Sequence, residues 1–360
     1  MLVSKLTPLS ASRIKTAQTC SWIYWCKYKL RMPDRSNEGA SRGTICHLIF
    51  ECLGNPHHKH HYTRLIKKGT IWSSKAVSRL VMYHARRLEV ADDDNLALMD
   101  KMIINGLRYD FFGDRLGKPT EALSEQEFNI TVEEDNKKYS IRGFIDKLFL
   151  YSRKKRAIIR DFKSSKQVFK GKDLTDNLQN LMYSLAIKHL YPNYLKRQSE
   201  FVFIKFDLGE DLFGHPGSGI IRMDAISSAE LEGFEHYLTE VQEFIDSFSE
   251  NDGVSNLAAS KDYPSDGSFG GPLACGKDGY KMSRGKPVLD RDGQPIPAYI
   301  CAYRKPSTYY VLLDAGGKVK KSVFEDEKDE MHADLTKGEI IEERYYAGCP
   351  HWNRSDPFDL

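Results

Sequence analysis

The chain has 360 residues, with 53 lysines and arginines against 50 aspartates and glutamates, a formal net charge of +3. That length can bury a substantial core in two or three lobes, but the near-balanced charge excludes a global basic field, so nucleic-acid binding would have to come from local patches. No apolar run reaches membrane-spanning length, the first ten residues lack a signal-peptide core, and seven cysteines, an odd number, argue against a secreted disulfide scaffold. The expectation is a soluble intracellular or cytoplasmic protein, neither secreted nor in a membrane.

In chain order, the segment Ser10 to Cys20 is followed by an aromatic stretch, Trp22 to Tyr28. Arg42 to Cys52 reads as a helix carrying His47, with Cys46 and Cys52 as core thiols. His57-His58-Lys59-His60-His61 follows Gly54, Asn55 and Pro56, which suggests a mobile loop with no site. Residues 71–90 and 95–112 have helical apolar spacing and form a helical insertion. Gln126 to Val132 alternates as a strand, Asp135-Asn136 supplies a turn, Tyr139 to Leu150 is a long strand, and a polar turn leads into Arg156–Phe162. Leu178, Leu181, Met182, Leu185, Ala186 and Leu190 predict a helix that places Gln179 and Tyr183 on one face. A strand over 200–207, a Gly-rich loop over 209–219 and a helix over 228–248 follow. That helix opens on the capping pattern Ser227-x-x-Glu230 and turns Phe234, Leu238, Val241 and Phe244 inward. Hairpins are expected around Asp292-Gly293 and Gly316-Gly317, and the acidic run 325–330 as solvated surface.

The chemistry concentrates at two neighbouring strands. Asp161 and Lys163 end the apolar run Ala157-Ile158-Ile159, and Asp146 sits in Gly143-Phe144-Ile145-Asp146 just upstream. Asp-x-Lys alone is a common triplet and usually a solvated strand end. Two carboxylates and a lysine on adjacent strands can instead hold Mg²⁺ or Mn²⁺ and steady charge on a phosphoryl group. Lys163 with Lys166, lying beside this motif, is the basic patch that carries weight.

Gly143-Phe-Ile-Asp146, Ile-Arg-Asp161-Phe-Lys163 and Gln179-x-x-x-Tyr183 together resemble the RecB-like branch of the PD-(D/E)XK nucleases, which includes the AddB-type and CRISPR-adaptation nucleases. Ser10 to Cys20 resembles the opening helix of the same branch, which ends at a cysteine, and Gly43-x-x-x-His47 resembles its Gly-x-x-x-His segment. The resemblance implies metal ligation by His47, Asp146 and Asp161, with the Phe162 carbonyl as a further oxygen. It implies a catalytic role for Lys163, and contact of Gln179 and Tyr183 with the scissile strand. Glu127 stands where many relatives carry another acidic group. Cleavage would leave a 5′-phosphate and a 3′-hydroxyl.

Several such subfamilies hold a [4Fe–4S] cluster through one N-terminal and three C-terminal cysteines, which here would be Cys20, Cys275, Cys301 and Cys349. The departure is that long segments separate the last three, where relatives bunch them. Zinc is an alternative, since Cys349-Pro-His351 adds an imidazole, and unliganded thiols are another.

The expected fold is α/β: a central mixed sheet flanked by helices in a restriction-endonuclease-like core, with a helical insertion and a C-terminal hairpin-rich region. The expected divisions are 1–56 (N-terminal helices with Cys20 and His47), 57–120 (the insertion), 121–250 (core sheet and helices) and 251–360 (cysteine-bearing hairpins). The expected function is metal-dependent DNA exonuclease activity at ends or single strands in recombination, repair or replication. No Walker motif is present, so a helicase or recombination factor would be a partner. A DNA-binding or assembly factor and a sequence-specific endonuclease are the alternatives.

Overall fold

Two long antiparallel strands joined at Asp135-Asn136, β1 (Glu121–Glu134) and β2 (Lys137–Tyr151), are the scaffold of the computed structural model. The structure describes residues 6–352 apart from 35–36, 172–173, 175, 210–216, 266–268 and 291–292. The chain divides into two units, Met1–Ala11 with Ser36–Asp246 and Ser12–Arg35 with Ser247–Leu360.

In the first unit, β3 (Arg156–Lys163) pairs antiparallel with β2, β4 (Lys196–Phe203) pairs parallel with β3, and β5 (Ile220–Arg222) closes the edge antiparallel. The result is a mixed five-stranded sheet in sequential order, the α/β fold expected. The parallel step needs a crossover, which α7 (Leu178–Leu190) supplies, capped by the Asn177 side chain on the Asn180 amide. Helices α3 (Glu38–Gly54), α4 (Lys59–Lys68), α5 (Lys75–Arg87) and α6 (Asp93–Arg108) share one apolar core. Phe162, Val202, Ile204 and Ile220 of the sheet and its margin complete that core. Arg160 and Glu200, opposite each other on β3 and β4, are both buried and paired at 2.9 Å. The hydroxyl of Tyr109 and the guanidinium groups of Arg115 and Arg222 also donate to the Glu200 carboxylate.

Several expectations change here. The histidine run is not a loop: the Asn55 side chain caps the His57 amide, Pro56 starts a 3₁₀ turn, and α4 begins at Lys59. Leu65 is buried under it, and Gly69 ends it at φ 72°. The strand expected over 200–207 lies at Lys196–Phe203, because parallel pairing with Arg156 draws polar residues 196–198 into the ladder. In α8 (Ser228–Ser247) the Ser227–Glu230 capping bonds are present. Phe244 faces outward, however, while Gln242 and Ile245 turn inward with Phe234 and Leu238. Gln242 is buried because its amide bridges the Ser140 amide and the Thr7 carbonyl. Residues 210–216 of the Gly-rich loop and Asp292 of the expected turn lie outside the described residues.

The second unit is built from both ends of the chain. Helix α1 (Ala11–Thr19) leads to α2 (Ser21–Tyr24) and a π-helical turn (Trp25–Lys29), and a three-stranded sheet has the order β10-β8-β9. Its strands are β8 (Ser307–Leu313), β9 (Val319–Phe324) and β10 (Ile340–Tyr346); the β8–β9 hairpin turns at the expected glycines. Around the other expected turn, Leu289 bridges Pro295 antiparallel and the Ile296 amide donates to the Val288 carbonyl, the pairing of a hairpin. A smaller two-rung hairpin, β6 (Met282–Ser283) with β7 (Lys286–Pro287), turns at Arg284-Gly285 just before it. Trp22 Nε1 donates to the Tyr346 hydroxyl at 2.6 Å, and that hydroxyl donates to the Tyr303 carbonyl at 2.6 Å, tying the two chain ends into one core. The acidic run 325–330 is exposed. Among the described residues, no helix is long and apolar enough to cross a membrane.

Candidate active site

The site lies where β2, β3, α3 and α7 meet. At the end of β3, Asp161 is buried, with 4 % exposure. Its Oδ1 accepts from the Tyr183 hydroxyl at 2.8 Å and from Gln179 Nε2 at 2.6 Å. Its Oδ2 lies 2.7 Å from Lys163 Nζ, at ion-pair distance but off a hydrogen-bond direction. Lys163 donates to Gln179 Oε1 at 2.7 Å, so the α7 amide holds both the acid and the base of the Asp-x-Lys pair. One residue along, the Phe162 amide donates to Asp146 Oδ2 at 2.7 Å, linking β3 to the β2 carboxylate. The Phe162 ring packs on Phe50 with centroids 4.3 Å apart, which anchors that backbone in the helical core.

His47 approaches from α3, with Nδ1 3.3 Å from Asp146 Oδ1. A glycine one turn earlier permits this: a Cβ on Gly43 would stand 2.6 Å from Ser164 Oγ, just beyond Lys163. Gly143 serves the other strand, since a Cβ there would stand 2.5 Å from the Phe128 ring. Phe128, its partner in the ladder, packs edge-on against Tyr183.

The ladder between β1 and β2 pairs Ser124 with Lys147 and Gln126 with Ile145, and leaves out the pair between, Glu125 and Asp146. Glu125 takes φ 47°, a left-handed conformation uncommon outside glycine and asparagine. His47, Glu125 and Asp146 thereby bring three donor atoms within 4.8 Å of one another. Glu127, the acidic residue singled out from sequence, lies two residues on and outside this group; its half-exposed carboxylate is 3.7 Å from Arg142. Motif reading misses Glu125, although the turn at Asp135-Asn136 carries the signal. Counting back equally from Glu134↔Lys137 sets Glu125 opposite Asp146.

Charge is crowded here. Burial, then the Asp146 charge, pushes Glu125 up to about 7, against the pull of His47. Burial works to lower His47, but its bond to Asp146 and the surrounding carboxylates win and raise it to about 9. Asp161 is raised by burial, with Lys163 pulling down and Asp146 adding to the rise. Burial, then the Asp161 and Asp146 charges, holds the Tyr183 phenol well above its usual range. Two carboxylates and an imidazole drawn together this closely, with the Asp161 charge nearby, form a set that suits a hard divalent cation. Ala40, Gly43, Thr44, His47, Leu48, Glu51 and Glu125 line a cleft of about 550 Å³ that opens on this set.

A family model described as the PD-(D/E)XK nuclease superfamily matches residues 8–264. The chain belongs to this superfamily. No curated protein matches it. PD-(D/E)XK nucleases use divalent metals, and the His47–Glu125–Asp146 group is a place in this member where one fits.

The four cysteines marked from sequence lie in the second unit. Cys20, Cys275, Cys301 and Cys349 share one cluster with Trp22, Cys26, Tyr303 and Tyr346. The Cys301 amide donates to the Cys275 carbonyl, and the Cys349 amide to the Arg304 carbonyl. Burial raises the Cys301 thiol to about 12 and also raises Cys275 and Cys349. All seven cysteines are free of disulfides. Among the described residues, the three donors drawn within 4.8 Å of one another are those of His47, Glu125 and Asp146.

Proposed function

We propose that this PD-(D/E)XK protein is a deoxyribonuclease of the RecB-like branch, hydrolysing phosphodiester bonds at DNA ends or in single strands. The observation that carries the reading is the closed network of Asp161, Lys163, Gln179 and Tyr183 set beside the His47–Glu125–Asp146 group. His47, Glu125, Asp146 and Asp161 would hold Mg²⁺ or Mn²⁺, with the Phe162 carbonyl as a further oxygen. A cation there supplies Lewis acidity at a phosphoryl oxygen and makes nearby water more acidic. Lys163 orients the attacking water and offsets the negative charge that grows on the phosphoryl group. Gln179 and Tyr183 keep Asp161 and Lys163 aimed through hydrogen bonds, so little reorganisation is needed as charge develops.

In the second unit, Cys20, Cys275, Cys301 and Cys349 are proposed to hold a [4Fe–4S] cluster. The apolar cluster that these four cysteines share supports a common metal centre, with zinc as the alternative to iron and sulfide.

The test uses anaerobically purified protein and end-labelled linear single- and double-stranded DNA beside closed circles, with Mg²⁺, Mn²⁺ or EDTA. Metal-dependent shortening of linear strands with circles spared is expected, and the order of products gives polarity. Cut circles would replace the exonuclease reading with an endonuclease one. DNA binding without cleavage under any of these conditions would favour a binding factor or an enzyme that needs a helicase or recombination partner.

A further inference from the structure

A second cavity of about 660 Å³ opens where α6 ends and the chain leaves β4, and it shares no lining residue with the cleft at His47. Lys101, Arg108, Arg115 and Lys205 line it, against Asp110 and Asp207. Both carboxylates are already engaged. Asp110 accepts from Arg160 at 3.2 Å and from the Arg115 amide at 3.0 Å, and Asp207 accepts from the Gly209 amide at 3.0 Å. Arg115 is itself committed to Glu200 at 3.2 Å.

Lys101, Arg108 and Lys205 are left with no ion-pair partner among the described residues. Burial, then the charges of Arg42 and Lys166 outside the cavity lining, holds the Lys205 ammonium below the usual range. Four cations against two carboxylates leave the lining with a positive balance, which favours an anion. Its position says which anion. The Ile204 amide donates to the Lys163 carbonyl at 3.0 Å, so Lys205 leaves the end of β4 beside the end of β3, where Lys163 sits.

We propose that the cavity between the end of α6 and the chain after β4 binds a backbone phosphate of the DNA substrate through Lys101, Arg108 and Lys205, away from the scissile phosphate. The proposal rests on the nuclease reading for its substrate. The same chemistry would also accept the phosphate of a free mononucleotide, and the experiment separates the two sources. Backbone neutralisation carries no sequence preference and appears as salt dependence.

The experiment measures binding of a fluorescent single-stranded oligonucleotide in EDTA, across a salt series, by the full chain and by Lys101→Ala/Lys205→Gln and Arg108→Ala variants. Thermal melting checks that each variant is folded. Binding is expected to weaken about tenfold in the double variant, and the log–log salt slope to shrink by about 0.7 for each phosphate no longer neutralised. With metal, KM for long strands should rise while kcat on a dinucleotide stays the same. An unchanged slope in folded variants would overturn the anchor, even if the wild-type protein cuts DNA. Mononucleotide binding abolished in the variants, with the oligonucleotide slope unchanged, would also overturn it in favour of a free phosphomonoester. If the wild-type protein cuts nothing by itself but the slope still falls, the reading of a nuclease active without a partner fails and the phosphate site stands.

Discussion

Lys163 and Asp161 depend on each other at the level of single atoms. Removing the ammonium leaves a buried carboxylate held only by Gln179 and Tyr183, so Lys163→Ala should reduce kcat by about 10²–10³ or more. Oligonucleotide affinity in EDTA should be unchanged. Steady-state kinetics beside anisotropy would check both, and normal turnover would remove Lys163 from its proposed role. The pH response follows from two neighbours. Glu125 is raised to about 7 and His47 to about 9, so the metal-free folded state binds protons that the unfolded chain has already released. Stability should therefore fall as pH rises, from the ordinary glutamate range to about 7 for Glu125 and from about 6.5 to about 9 for His47. The rise in melting temperature on adding Mn²⁺ should grow over the same interval, because the cation replaces the departing protons. Melting curves from about pH 5 to 9, with and without Mn²⁺, would show a flat difference if these groups are not ligands.

Whole elements decide whether those atoms meet. Gly43 lets α3 lie against the segment after β3, so Gly43→Val should push His47 outward and weaken Mn²⁺ binding by calorimetry while the fold persists. Affinity equal to the wild type would mean that Ser164 gives way freely. Under β3 and β4, Glu200 holds Arg160, Arg115 and Arg222 together. Glu200→Gln leaves buried positive charge without its counter-charge and should cost about 3–5 kcal/mol in denaturant unfolding. Much of this layer is legible beforehand. Asp146, Asp161, Lys163, Gln179 and Tyr183 follow from motif and helical spacing, and the structure sets them around one point. Glu125 escapes because alternation is read along one strand, whereas a left-handed residue has to be placed by its rung across the hairpin. Apolarity alone assigns Phe244 inward, and a hydrogen-bonding glutamine takes the inner position instead.

At the scale of the whole molecule, what sequence reading cannot supply is which distant segments share a core. Aromatic Trp22 and the remote Tyr303, Tyr309 and Tyr346 carry no local signal of their partnership, yet they pack in one cluster with Cys20, Cys275, Cys301 and Cys349. If those cysteines hold iron and sulfur, iron and acid-labile sulfide should be found in equal amounts in anaerobic protein. Cys301→Ser should lose them and melt at lower temperature, without altering the Asp161 network. Zinc in place of iron, or neither metal, would refute the cluster.

The direct hydrogen bond from Trp22 to Tyr346 also sets a timetable for synthesis. A ribosome makes the chain from its amino end at about 5–20 residues per second, so residues 12–35 emerge long before the strand that completes their core. The five-stranded sheet can form while this early segment still waits, with Trp22 and Tyr24 exposed to other chains. The nascent protein is therefore most prone to aggregation after its nuclease core is assembled and before β10 is made. A truncation just short of Ile340 should trap that state, giving a chain that binds chaperones although every residue of the Asp161 network is present.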